Sequence, residues 1–179
     1  YYFKSFVKSY PKSDKVEESA FLIAICNQRM SPKYNLDPTP TKNAINELQL
    51  YLNRYPESQY VDTCNVLMDK LRFKLELKYY EQAELYYKTE KYKSAIVAFE
   101  NLMNDYPDND YIEQSMFLMV KSNFLYAENS VERKKAERYS ETIKSYLKFV
   151  DSYKESEYLK TLENIYKNSL KELEKLKNT

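Results

Sequence analysis

Between residues 76 and 107 the apolar residues fall into two short groups, and their spacing restricts the chain more than any other feature. Tyr79, Ala83 and Tyr86 are followed by Ala95, Phe99 and Leu102, and Pro107 closes the stretch. Steps of 4, 3, 9, 4, 3 and 5 residues put each group on one helical face, because residues three and four apart are surface neighbours. Ala83 and Ala95 are small where two such helices must approach closely. Pro107 ends the second helix: it lacks an N–H and drives Tyr106 out of helical geometry.

This spacing resembles the tetratricopeptide repeat, a helix–turn–helix of about 34 residues. Ala83 stands where that pattern usually carries Gly, a common exchange. The resemblance implies an all-α fold: a tetratricopeptide-repeat solenoid of antiparallel helix pairs wound as a right-handed superhelix.

Composition agrees with helices and removes several function classes. The 179 residues include no Gly and no His, and 28 basic residues balance 27 acidic ones to a net charge of +1. Barrels and sandwiches need Gly in their turns. Near-neutral charge argues against a nucleic-acid binder, and the missing His removes the commonest general base and a common metal ligand. The 20 tyrosines can fill contacts between stacked helices while leaving a hydroxyl for solvent, although a biased genome composition would also raise them. Cys26 and Cys64 sit in helical apolar patterns. They read as small buried hydrophobes or, in an oxidising compartment, as a disulfide. No apolar run is long enough to span a membrane, and the given residues do not read as a signal peptide, which implies nothing about what stands upstream of them.

In chain order, residues 1–13 look like the end of a repeat: Phe3, Phe6 and Tyr10-Pro11-Lys12-Ser13 match Phe99, Leu102 and Tyr106-Pro107-Asp108-Asn109. The missing half is expected upstream, so the chain is expected to be a fragment. Repeat 2 is expected over 14–58. It has a first helix at 15–30, a proline-bearing loop at 31–41, and a second helix at 42–54 capped by Thr39 or Thr41. Repeat 3 spans 59–109 and opens with one helix of roughly 30 residues over 59–88, on the order of 45 Å long. Repeat 4 spans 110–156, its charged stretch 131–138 reading as a solvated connector or helix start. A polar-backed capping helix occupies 157–179. The terminating tyrosines, Tyr10, Tyr55, Tyr106 and Tyr153, recur at intervals of 45, 51 and 47 residues. Lys154 stands where the other corners carry Pro.

Nothing in the sequence carries catalysis: no phosphate-binding glycine loop, no metal-ligand spacing and no cofactor motif. Adjacent carboxylates such as Glu17 and Glu18 are ordinary helix-surface residues. The expectation is a non-enzyme that binds partners. On first helices of such repeats, the concave face falls on Glu18, Phe21, Ile25, Gln28 and Arg29, and on Leu77, Tyr80, Glu84, Tyr87 and Lys88. Aromatics mixed with charge suit an extended peptide; alternatively Phe21, Ile25 and Leu77 simply pack on a neighbouring helix. The Lys and Asn cluster of a chaperone-tail clamp is missing, which weighs against a cytosolic co-chaperone.

One run is more specific: Leu71-Arg72, Lys74-Leu75, Ala83, Tyr86-Tyr87-Lys88, Tyr92, Ala95-Ile96, Phe99 and Tyr106-Pro107. With Phe6, Tyr10-Pro11, Ser13 and Leu52, Tyr55-Pro56, Ser58, it resembles the BamD family of outer-membrane β-barrel assembly lipoproteins, in a Bacteroidetes-like version. The resemblance implies a lipid anchor upstream of this stretch and a place on the periplasmic face of the outer membrane. It implies membership of the BAM complex, with partners that include the POTRA domains of a BamA-like barrel protein, other complex subunits and unfolded outer-membrane substrates. The groove residues become substrate-side candidates. Ser156, Glu157, Tyr158, Lys160 and Thr161 become BamA-side candidates. The alternative is another periplasmic repeat scaffold that coordinates cell-envelope proteins. No cofactor and no nucleic acid is implied.

Overall fold

The computed structural model describes residues 1–177. Among them there are eight helices and no strand: α1 (Tyr2–Ser9), α2 (Val16–Arg29), α3 (Thr39–Arg54), α4 (Val61–Lys88), α5 (Tyr92–Asp105), α6 (Ile112–Glu128), α7 (Glu132–Ser152) and α8 (Leu159–Lys177). The chain divides into two compact units, Tyr1–Lys78 and Tyr79–Thr179, with the division inside α4.

In the first unit α2 packs on α1 and on α3. Its core is Ala24, Ala44, Leu48, Tyr51, Cys64 and Leu71. Ala24 and Ala44 are fully buried, so the small residues do sit where helices approach. A larger side chain there would force the backbones apart, at about 1–3 kcal/mol. Cys26 is exposed rather than buried, and both thiols are free.

The start of α3 differs from the sequence expectation. The helix begins at Thr39, with Pro40 in its first turn, where a missing N–H costs nothing. Neither Thr39 nor Thr41 caps it. Asp37 accepts from the Thr39 N–H (3.1 Å) and hydroxyl (2.9 Å), and these bonds hold its carboxyl below the usual range. Thr41 is buried, with its hydroxyl 2.7 Å from that of Ser31.

The second unit holds the C-terminal part of α4 and α5–α8. Its core has two parts. Tyr80, Ala83, Ala95, Phe99, Leu102, Leu118 and Met119 form one; Met116, Val120, Phe149 and Leu162 form the other. The turn into α5 uses a left-handed residue, Glu90 at φ 59°, with the Lys91 N–H donating to Tyr86 C=O (2.9 Å). Glycine is the usual residue for such a helix end, and this chain has none. The charged stretch at 131–138 opens α7: Glu132 is its first residue.

The four corners share one geometry. Tyr10, Tyr55, Tyr106 and Tyr153 have φ from −127° to −137° and ψ from 56° to 72°. Each tyrosine N–H donates four residues back, to Phe6, Tyr51, Leu102 and Phe149. Three residues after each tyrosine, a Ser or Asn side chain accepts the N–H two positions further on. Ser13 takes Lys15 (3.2 Å), Ser58 takes Tyr60 (3.2 Å), Asn109 takes Tyr111 (2.9 Å) and Ser156 takes Tyr158 (3.1 Å). Such side chains mimic a backbone turn. Lys154 therefore leaves its corner unchanged: the proline is dispensable because the polar side chain sets the turn.

Candidate interaction surface

The corners also position aromatic rings. Tyr60, Tyr111 and Tyr158 each follow a corner Ser or Asn by two residues, and each stacks on a ring of a first helix. Tyr60 lies on Phe21 (4.0 Å between centroids, 7° between planes). Tyr111 lies on Tyr80 (4.6 Å, 17°), and Tyr158 on Phe117 (4.2 Å, 17°). Such a pair contributes roughly 0.5–1.5 kcal/mol beyond the area that it buries.

These stacks revise the groove expected from the sequence. Tyr80 is 6% exposed; burial, then the nearby Glu84 carboxylate, pushes its hydroxyl pKa up to about 12. It belongs to the core and offers no free face. Phe21 is half-buried and also meets the Tyr51 ring at 5.7 Å. On α2, Ile25 and Gln28 are half-buried, whereas Glu18 and Arg29 are exposed. Glu18 pairs with Lys15 at 3.2 Å, which raises the lysine pKa. Leu77 is half-buried in the first unit.

In the second unit the structure joins residues that the sequence had assigned to two separate sites. Tyr87 is half-buried, and the Lys121 ammonium stands 5.3 Å from the centre of its ring. The same ammonium is 5.2 Å from the Phe117 ring, on which Tyr158 stacks. Tyr87, Lys121, Phe117 and Tyr158 thus form one continuous aromatic and cationic surface, drawn from α4, α6 and the last corner. Glu84 and Lys88 flank it as an ion pair at 2.7 Å. The sequence reading puts Tyr87 among the groove candidates and Tyr158 among the BamA-side candidates, and it does not single out Lys121 or Phe117. Their only sequence signal is the four-residue spacing of a lysine and an aromatic.

Of the other residues at the last corner, Glu157, Lys160 and Thr161 are exposed, and Ser156 is half-buried by its turn. Beside them a shallow cleft collects Glu113, Asp151, Tyr153, Lys154 and Glu155. Burial and then the Glu113 carboxylate raise the Tyr153 hydroxyl pKa.

These surfaces offer aromatic faces, paired charges and hydrogen-bonding side chains, which is the chemistry of protein recognition. Among the described residues no group of His, Cys, Asp or Glu is placed to hold a metal ion. No helix there is long and apolar enough to cross a membrane. No curated protein matches the chain. The profile of the YfiO family, described as an outer membrane lipoprotein, matches residues 1–139; the last corner and α8 lie beyond the matched residues. With that match spanning most of its length, the chain belongs to the YfiO family of outer membrane lipoproteins.

Proposed function

We propose that this protein is a non-catalytic scaffold subunit of the outer-membrane β-barrel assembly complex, a BamD-like adaptor held at the periplasmic face by a lipid anchor. The observation that carries the reading is the family match over residues 1–139, on top of the motif resemblance. On this reading the last corner, with Glu157, Lys160 and Thr161 open to solvent, meets the POTRA domains of a BamA-like partner. The exposed side of α2, with Glu18, Arg29 and the half-buried Ile25 and Gln28, faces barrel substrates.

The test is affinity purification of the full-length protein from detergent-solubilised envelope, followed by mass spectrometry. A POTRA-containing barrel protein in near-equal amount is the expected result. The double charge reversal Glu157→Lys with Lys160→Glu should reduce that recovery at least tenfold while leaving the helical signal intact. Recovery of a peptidoglycan-linked or soluble envelope partner instead would sink the assembly reading and leave a periplasmic scaffold.

A further inference from the structure

Two adjoining clefts of about 330 and 290 Å³ lie over α6, between α5 and α7. Glu100 and Ser145 line both, so the clefts form one groove. It starts beside Lys93 and Lys134 and finishes beside Asn104 and Lys148. Lys134 and Lys148 stand fourteen residues apart along α7, about 20 Å at ~1.5 Å per residue.

The floor is partly apolar and open. Val97 is 48% exposed, and Ile96, Met103 and Met119 join it. At its centre sits a polar residue that is almost fully buried. Asn123 is 9% exposed; its amide donates to Met119 C=O (3.1 Å) and to Ser145 Oγ (3.0 Å). The Asn123 carbonyl oxygen accepts nothing among the described residues, and the Ser145 hydroxyl has a proton left to donate. One open acceptor beside one open donor is the complement of a peptide group. A helix satisfies its own main chain and would leave the Asn123 oxygen unmet. An extended chain supplies the missing N–H.

The charges along the rim choose among extended chains. Glu137 and Glu141 are taken up by Lys134 (2.9 Å) and Lys144 (2.7 Å) within α7. Arg138 lies on the Tyr126 ring at 3.8 Å. Lys93 and Lys148, at opposite ends, have no ion-pair partner among the described residues. Glu100, midway, is the unpaired carboxylate and calls for a hydrogen-bond donor.

We propose that this groove binds an extended segment of another polypeptide, apolar along its middle, with a carboxylate toward each end. Asn123 and Ser145 hold its main chain, and Lys93 and Lys148 hold the carboxylates. At ~3.3 Å per residue, carboxylates six or seven residues apart span the distance. The proposal does not rest on the assembly reading, because the groove lies within residues 93–148 and is assayed on the purified chain alone.

The test is selection from a phage-displayed library of random twelve-residue peptides on the purified chain. The expected result is a consensus with acidic residues six or seven apart and an apolar middle, whose synthetic peptide binds saturably by fluorescence anisotropy. The surface double variant Lys93→Glu with Lys148→Glu should weaken that peptide at least tenfold. Asn123→Ala with Ser145→Ala should do the same, with circular dichroism verifying the fold. No enrichment overturns the proposal. So does a consensus with the i, i+3, i+4 spacing of a helix, or a peptide whose affinity is unmoved by the lysine reversals.

Discussion

Ser115 carries a buried hydroxyl with no hydrogen-bond partner among the described residues, on the face of α6 that meets the core. Such an orphan costs about 1–3 kcal/mol, whereas a methyl of similar shape costs nothing there. Ser115→Ala should therefore raise the unfolding free energy by about 1 kcal/mol in urea denaturation, with an unchanged denaturant slope. The contrast with Ser122 is instructive: its hydroxyl donates to Leu118 C=O at 2.7 Å, and Ser122→Ala should be close to neutral. At this scale the sequence was legible where size mattered. Spacing alone puts Ala83 and Ala95 at close helix contacts, and both are fully buried. It misled where a ring from outside the helix closes over a position. Periodicity shows which face Tyr80 occupies, but not that Tyr111, beyond the next corner, covers it. The corner pattern of Tyr, then Ser or Asn three residues on, then Tyr two further, was available as the signal.

At the scale of elements, the corner through Lys154 makes the sharpest prediction. Tyr153 has φ −133° and ψ 72°, against −133° and 66° for Tyr55, which precedes a proline. The backbone before Lys154 is thus already shaped for proline, and nothing in the corner uses the Lys154 N–H. Lys154→Pro should stabilise by about 0.4–1 kcal/mol through reduced freedom of the unfolded chain, read as a raised thermal midpoint. The length of α4 has a second consequence. Lys74 donates to Ser31 Oγ (2.7 Å) and to Pro32 C=O (3.0 Å), and Lys78 donates to Leu36 C=O (2.7 Å). Two lysines one turn apart thus satisfy carbonyls of the proline-bearing loop, whose prolines cannot supply N–H donors of their own. Lys74→Met with Lys78→Met should accelerate amide exchange within residues 31–37 at least tenfold, leaving α6 protected. The long helix was read from its unbroken periodicity, but the loop anchoring was not. A lysine on an amphipathic helix looks solvated until the chain that passes over it is known. The start of α3 was misplaced for a related reason: Pro38 and Pro40 read as loop, although a proline in the first helical turn is harmless.

Over the whole molecule, charge sets the response to pH, and the direction follows from what is buried. There is no histidine, so no side chain has its ordinary titration between pH 5 and 8. The lowered carboxyls, at Asp37, Glu137 and Glu172, contribute stability that is present above the ordinary carboxylate range and lost only below it. The ion pairs are mostly exposed partners three or four apart on one helix, as with Lys134–Glu137 and Lys144–Glu141, which contribute little each. The alkaline side is different. Burial raises the Cys64 thiol and pushes the Tyr51 and Tyr80 hydroxyls up to about 12. Each is held neutral in the folded chain and ionises more easily when unfolded. The stability that they contribute is therefore complete below the unfolded pKa, near 9.0 for the thiol and 10.0 for the tyrosines, and is lost as pH rises through the folded values. Unfolding free energy should be nearly flat from about pH 6 to 8.5 and then fall between about pH 9 and 12. Urea titrations at each pH, followed by helical circular dichroism, measure this. Tyr80→Phe separates burial from general charge repulsion, because among the described residues no hydrogen bond to the Tyr80 hydroxyl is lost with it. If buried tyrosines drive the alkaline limb, the variant holds its stability to higher pH than the parent. If net negative charge drives it, the two curves fall together.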